Sequence, residues 1–288
     1  MDVLVYGCVN SAVLALMAVG FTLVYGISRL ANFAHGALYT LTGFMVWTFL
    51  WKLHLNYALA IIIALIMTSI VGAIIYQTLL VRIRGMEASE VIGSFAVGLA
   101  LMEFLRWKGF IGHAYAVPVF IKGATSIGGV PVDFQRLVIV FAGVIIVIFL
   151  WLFTHYTRIG LALRAIAQDE QAGMMLGMDS DKMSMISMSL GAALAGLAAV
   201  TIFPLGSITV ESGYSVLIYA VAVCIVGGLG SWPGAVVAAF IIGYGQTLTD
   251  KFIASHYQAV LAMGAIVVTL ILKPSGLFGK QKQLEERV

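Results

Sequence analysis

The sequence predicts an all-α polytopic membrane bundle of about eight or nine spans, with some helices broken or re-entrant. Three observations carry this reading. Of 288 residues, 61% are apolar and only 10% charged, against about 25% charged in an average soluble domain. Apolar runs long enough to cross a bilayer, roughly 17 to 25 residues, recur along the whole chain. The charges crowd into short interruptions, above all Thr157 to Lys182.

Taken in order, spanning runs lie near 3–27, 57–81, 89–107, 137–156, 183–205 and 256–272. Between 214 and 250 a longer apolar region is broken by "GGLGSWPGA", which reads as two spans joined by a tight turn. Residues 37–51 form a shorter run behind a polar entry. The first run is too long for a signal-peptide core, carries Asp2 in place of a basic start, and is followed by many more spans, so it reads as a permanent helix. Cys8 and Cys224 fall inside apolar runs and behave as small hydrophobes. No disulfide framework and no metal-ligand spacing is indicated. The expectation is one transmembrane domain over residues 1–288.

Lysine and arginine placement orients it. With the tail 273–288 inside and nine alternating crossings, Arg29, Arg82, Arg84, Arg158, Arg164, Lys182, Lys273, Lys280, Lys282 and Arg287 lie inside. Lys52, Arg106, Lys108, Lys122, Arg136 and Lys251 lie outside, a modest bias in the expected direction. The loop at about 108–136 is then external, and 157–182 and 273–288 are cytoplasmic. If 37–51 is re-entrant, only the N-terminus changes side.

The stretch 157–182 holds Arg158, Arg164, Asp169, Glu170, Asp179, Asp181 and Lys182. Burying seven charges at the bilayer centre would cost on the order of 20 kcal/mol, so it lies outside the membrane. Leu161, Ala165, Ala172 and Leu176 recur at helical spacing, Arg164, Gln168 and Gln171 line another face, and Gly177 is a natural stop. Three readings compete for this amphipathic helix: a solvated connector, a helix lying on lipid, or a helix docking into a groove of another protein. The lipid reading fits least, because the polar face mixes both signs and lacks bulky aromatic residues opposite. Docking helices present apolar anchors at this spacing. No Gly-x4-Gly-Lys-Ser/Thr phosphate loop occurs, so any ATP-driven engine belongs to another chain.

"GFTLVYGISRLA" followed by "NFAHGALYTLTGF", then "TRIGLALRAIAQDEQAGMMLGMD", "GGLGSWPGAVVAAFIIG" and "LKPSGLFG", in this order and spacing, closely resemble the inner-membrane permeases of ABC importers for branched-chain amino acids. They look most like the first of the two paired permease subunits. The resemblance covers about residues 8–280. It implies a multi-pass protein of the bacterial inner membrane that forms the translocation pathway by alternating access. It implies no cofactor in this chain, with ATP and Mg held by two cytoplasmic ATPase subunits. The other implied partners are a second permease subunit, homologous or identical, a periplasmic substrate-binding protein, and membrane lipid. It makes 157–182 the segment that docks on the ATPase, with Arg164, Ala165, Gln168, Glu170, Ala172 and Gly177 at matching positions. Relatives of similar sequence handle urea, short amides and aromatic acids, which stand as alternative substrates.

Candidate pathway residues come in two groups. Asn32 and His35 share a helix face near a membrane boundary, with Gly36 beside them; they either line a route or satisfy loose backbone groups of a broken helix. Gly228, Gly230 and Pro233 belong either to a plain turn or to a helix break whose free N–H groups would face a substrate carboxylate. Glu103 with Arg106 three residues on reads as a structural helix pair. Glu211, His113, Lys122 and Asp133 read as solvated groups of outer loops. In "SLGAALAGLAAV", Gly191, Ala195 and Ala199, with Ala192 and Gly196, permit close helix approach, inside the chain or against a second subunit. A solitary ion-coupled transporter would need ionisable residues at mid-membrane, and the spans hold almost none. No catalytic constellation is identifiable, and a net charge of +3 spread over loops is no nucleic-acid footprint.

Overall fold

The computed structural model describes residues 1–110 and 115–279. Backbone polar groups in a bilayer must be satisfied within the chain, which favours helices. In chain order the elements are α1 (Asp2–Ser28), α2 (His35–Trp51), α3 (Tyr57–Ile75), a five-residue π-turn (Tyr76–Leu80), α4 (Val81–Ile83) and α5 (Glu87–Trp107). A hairpin follows, β1 (Ala124–Ile127) and β2 (Val130–Asp133), then α6 (Phe134–Tyr156), α7 (Arg158–Gln168), α8 (Glu170–Met175) and α9 (Ser180–Ile202). The last three are α10 (Ser212–Gly227), α11 (Trp232–Phe252) and α12 (Gln258–Leu272).

Six segments are by themselves long and apolar enough to cross: Asp2–Ser28, Tyr57–Ile83, Ala88–Trp107, Phe134–Tyr156, Ser180–Leu205 and Ser255–Leu272. α10 and α11 meet that standard only as a pair, bent by 115° at the break between them. By that standard the described residues hold six crossings, or seven with the bent pair taken as one, and α2, 17 residues long, is buried beside them; the irregular helices are those the sequence marks with polar or glycine-rich breaks.

The helices alternate in direction and define two ends. At one, Tyr6 donates to Pro131 O at 2.7 Å, Asp2 approaches Lys251 at 3.8 Å, and Tyr115 pairs with Ile208. This end gathers the N-terminus, the hairpin and the loop before α10. At the other, Arg29 donates to Ala167 O at 3.3 Å and the backbone N–H of Leu277 to Val226 O at 2.9 Å. It gathers α7, α8, the turn 228–231 and the segment after α12.

Lipid tails are as apolar as leucine, so helices in a membrane associate through close packing instead of hydrophobic drive. The small residues of α9 do this within the chain. Gly191 sits against Val24 and Gly20 O of α1, a β-carbon on Gly72 of α3 would meet Ala192, and Gly196 faces Thr42 of α2. Ala195 and Ala199 are fully buried. Of the two packing partners open at the sequence level, the structure shows the one inside the chain. On α3, by contrast, Ile62, Ile66, Ile70 and Ile74 form an exposed row at four-residue spacing.

Two features depart from the sequence reading. The external loop contains a hairpin, turned by Gly128 (φ 58°) and Gly129 (φ 82°) in the left-handed conformations a two-residue loop requires. Buried Gln135 fastens this loop to α9, accepting from Phe120 N–H at 3.0 Å and donating to Thr201 O at 2.9 Å. And the polar stretch expected as one helix is two. Asp169 adopts extended backbone (φ −148°, ψ 108°) and its carboxylate accepts from Ala172 N–H at 3.0 Å; an aspartate that caps a new helix ends the old one.

Candidate functional site: the polar end and its groove

The polar segment leaves the bundle through a sharp corner. Thr157 ends α6 in extended backbone, and its hydroxyl accepts from Gly160 N–H at 3.0 Å, capping α7. A β-carbon on Gly160 would collide with the backbone of Phe153 and Thr154. Leu163 and Ile166 face inward and are buried. Gly177, with φ 82°, closes α8, and Met178 N–H turns back to Gly173 O at 3.2 Å. Asp179 caps α9, accepting from Lys182 N–H at 3.1 Å and pairing with the Lys182 ammonium at 3.0 Å. These bonds, the backbone one first, hold its carboxyl below the usual carboxylate range.

Of the six residues the resemblance assigns to coupling, Gln168, Glu170, Ala172 and Gly177 are exposed, Ala165 is half-buried, and Arg164 turns toward the bundle. The sequence reading passed over Met175, which is 87% exposed beside Leu176 at 79%. Two large apolar side chains thus stand in solvent at the tip of a charged end. Their signal was legible: "MML" stands directly before the glycine stop.

Arg84 was also passed over, except as one inside charge. Its guanidinium reaches Asp181 Oδ1 at 2.6 Å, Glu170 Oε1 at 2.7 Å and Ser180 Oγ at 2.8 Å. Ser180 donates to the same Glu170 oxygen at 2.5 Å, and Tyr76 OH reaches Asp181 at 3.2 Å. No sequence pattern announces partners 86 and 97 residues away.

Below α7, helices α1, α6 and α11 enclose a groove of about 720 Å³. Val19, Ile27, Val147, Leu150, Trp151 and Val236 give it apolar walls, and Thr154, His155, Ser231 and Arg164 supply polar groups. Arg164 makes no ion pair among the described residues, and its Nε is buried without an acceptor. Gly230 and Pro233 border the same groove. Gly228 does not: its φ is 102°, and the backbone of Gly276 and Gly279 packs against it. The glycine-rich stretch is thus a turn, closed where Ser231 Oγ accepts from Gly234 N–H at 3.2 Å, and one edge of that turn borders a cavity.

Asn32, His35 and Gly36 lie apart from this, buried at the break between α1 and α2. Asn32 Oδ1 accepts from Ala34 N–H at 3.0 Å, and Ser94 Oγ accepts from Phe33 N–H at 3.1 Å. His35 Nε2 donates to Met17 O at 2.9 Å, its ring edge-on to Phe21. The bonds to Phe33 and Ala34 satisfy backbone N–H groups freed by the break, whereas that of His35 ties the start of α2 to the middle of α1. Asn32 Nδ2 and His35 Nδ1 are buried without partners among the described residues.

At the opposite end Arg106 joins Glu103, one turn away, to Glu211 across 2.9 Å. Glu103 is a structural pair, as its spacing indicates, and Glu211, expected as solvated, is 65% exposed even as it pairs with Arg106. Its own backbone N–H, and after it Arg106, hold the Glu211 carboxyl below the usual range. Asp133 pairs with Arg136 at 3.5 Å. Lys122 is exposed, and His113, like Lys280, Lys282 and Arg287, lies outside the described residues. Among the described residues no group of metal-ligating side chains occurs.

The model of the family described as "branched-chain amino acid transport system / permease component" matches residues 3–272. The chain belongs to that family. As a family member it is a multi-pass membrane permease, the transport component of a system and not its ATPase. It is 28% identical over 291 residues to the high-affinity branched-chain amino acid transport system permease protein BraD of Pseudomonas aeruginosa, covering 96% of this chain and 95% of that one. To the permease LivH of Escherichia coli, a high-affinity branched-chain amino acid system protein, it is 26% identical, covering 92% and 91%. In fold it is similar to a chain of PsaBC from Streptococcus pneumoniae, with a TM-score of 0.53 at 14% identity, over 96% of this chain and 94% of that one.

Proposed function

We propose that this permease forms, with a second permease chain, the route by which branched-chain or related small amino acids cross the bacterial inner membrane, driven by two ATPases that bind the end carrying α7 and α8. The observation that carries the docking reading is the exposed pair Met175 and Leu176 on a segment whose every end is capped. The basic residues Arg29, Arg82, Arg84, Arg158, Arg164, Lys182 and Lys273 gather at this end, which supports a cytoplasmic position for it and an outer position for the N-terminus. The opposite end, with the hairpin and Glu211, then faces a periplasmic binding protein.

The groove below α7 serves as the inner mouth of the route. Its apolar walls suit an aliphatic side chain, and Arg164 offers a cation to a carboxylate, the pairing of apolar lining and few polar groups typical of small-molecule sites. Asn32, His35 and Gly36 form the packed joint that frames the route. Nucleotide held by the ATPases supplies the energy by binding one state of the assembly more tightly than the other.

The test is pull-down of candidate ATPase subunits by this chain in detergent, with Arg164→Glu and Ala172→Glu variants, alongside leucine uptake in proteoliposomes. Ala172→Glu, on the exposed face, loses the ATPase. Arg164→Glu keeps it and loses uptake. Absence of any ATPase from the wild-type pull-down would return α7 and α8 to the status of a connector.

A further inference from the structure

We infer that Arg84 is the positioning residue through which movement of α8 reaches the membrane-spanning helices. The inference rests on the coupling role proposed for α7 and α8.

Three elements meet on this one cation. Glu170 is the first residue of α8, Ser180 and Asp181 open α9, and Arg84 itself follows α4, at the end of the continuous path α3, π-turn, α4. Its two terminal nitrogens take different carboxylates: Nη1 faces Asp181, and Nη2 faces Glu170 and Ser180. A planar guanidinium fixes the angle between two such partners, which an ammonium cannot do. Ser180, bonded to both Arg84 and Glu170, closes the cluster. Arg84 makes the only ion pair of α8 among the described residues.

Glu170 and Asp181 are 46% and 58% exposed, and pairs so exposed contribute little to stability. What this cluster supplies is geometry. On the α3 side, the link passes through Tyr76–Leu80, a five-residue π-turn whose first residue, Tyr76, also bonds Asp181. Single π-turns inside helices are frequent at functional positions. Here one lies between the transmembrane part of α3 and the residue that holds α8, where a change of helical register would convert a shift of α8 into a rotation of α3.

The experiment uses this chain copurified with its ATPases and reconstituted in proteoliposomes, scoring amino acid transported per ATP hydrolysed for wild type, Arg84→Gln, Arg84→Lys, Glu170→Gln and the Arg84→Gln/Glu170→Gln double variant. Arg84→Gln is expected to retain the ATPases and their hydrolysis while the ratio falls about tenfold, within the usual span of coupling energies. Arg84→Lys recovers only part of it, and the double variant is no worse than Arg84→Gln. An unchanged ratio in Arg84→Gln overturns the inference, as do full rescue by lysine and independent, multiplying losses in the double variant. If Arg84→Gln sheds the ATPases while the wild type holds them, Arg84 belongs to docking and the inference fails, leaving the coupling reading intact. If the wild type itself binds no ATPase, the coupling reading fails first.

Discussion

Gly36 faces the backbone carbonyl of Gly213 so closely that neither residue has room for a β-carbon. The contact joins the first turn of α2 to the first turn of α10, which makes it a fixed point between the broken entry of α2 and the bent α10–α11 pair. Gly36→Ala forces backbone apart in a packed interior, at a cost of about 1–3 kcal/mol. The expected outcome is a clear drop in thermal midpoint in detergent, with Gly206→Ala, where a β-carbon meets nothing within 4 Å, as the neutral comparison. Equal midpoints for the two variants would mean that the helices do not approach this closely.

Met175 tests docking without disturbing the fold. At 87% exposure its replacement by glutamate removes almost no packing, so stability stays within about 0.5 kcal/mol. Binding of the ATPase subunit falls steeply, measured by copurification at matched membrane yield. Retained binding would move the docking face elsewhere on α7 and α8.

Gln135 ties the outer loop to α9 through two bonds. Gln135→Leu keeps the volume but leaves Thr201 O and Phe120 N–H without that partner, costing about 1–3 kcal/mol for each group that stays buried. Limited proteolysis reads this directly: cleavage between 115 and 133 accelerates in the variant, while the rest of the chain is cut at the wild-type rate.

The Glu211–Arg106 pair carries a pH signature. Folding lowers the Glu211 pKa, so its contribution is complete above the ordinary carboxylate pKa and disappears as pH falls through the lower, folded value. The midpoint difference between wild type and Glu211→Gln is therefore constant near neutrality and shrinks in strong acid. A difference that grows on acidification would contradict this arrangement.

Hydropathy and charge were sufficient for the architecture because a bilayer imposes a length of apolar helix on each crossing and excludes dense charge. Thus α1, α3, α5, α6, α9 and α12 stand close to where apolar runs place them, Gly177 ends its helix as a glycine in that position does, and residues 157–179 fall between two spanning segments, while Asp181 and Lys182 belong to the first turn of α9. Local chemistry that competes with periodicity was harder to read: the Asp169 cap divides α7 from α8, and Gly128–Gly129 turn a hairpin. Packing decided what linear pattern does not encode. Arg84 finds Glu170 and Asp181, Arg164 turns into a groove instead of outward, and the small residues of α9 close on α1, α2 and α3. Each depends on which helices become neighbours, and in a medium with no hydrophobic drive between helices that choice rests on close fit and polar pairing across distant parts of the chain.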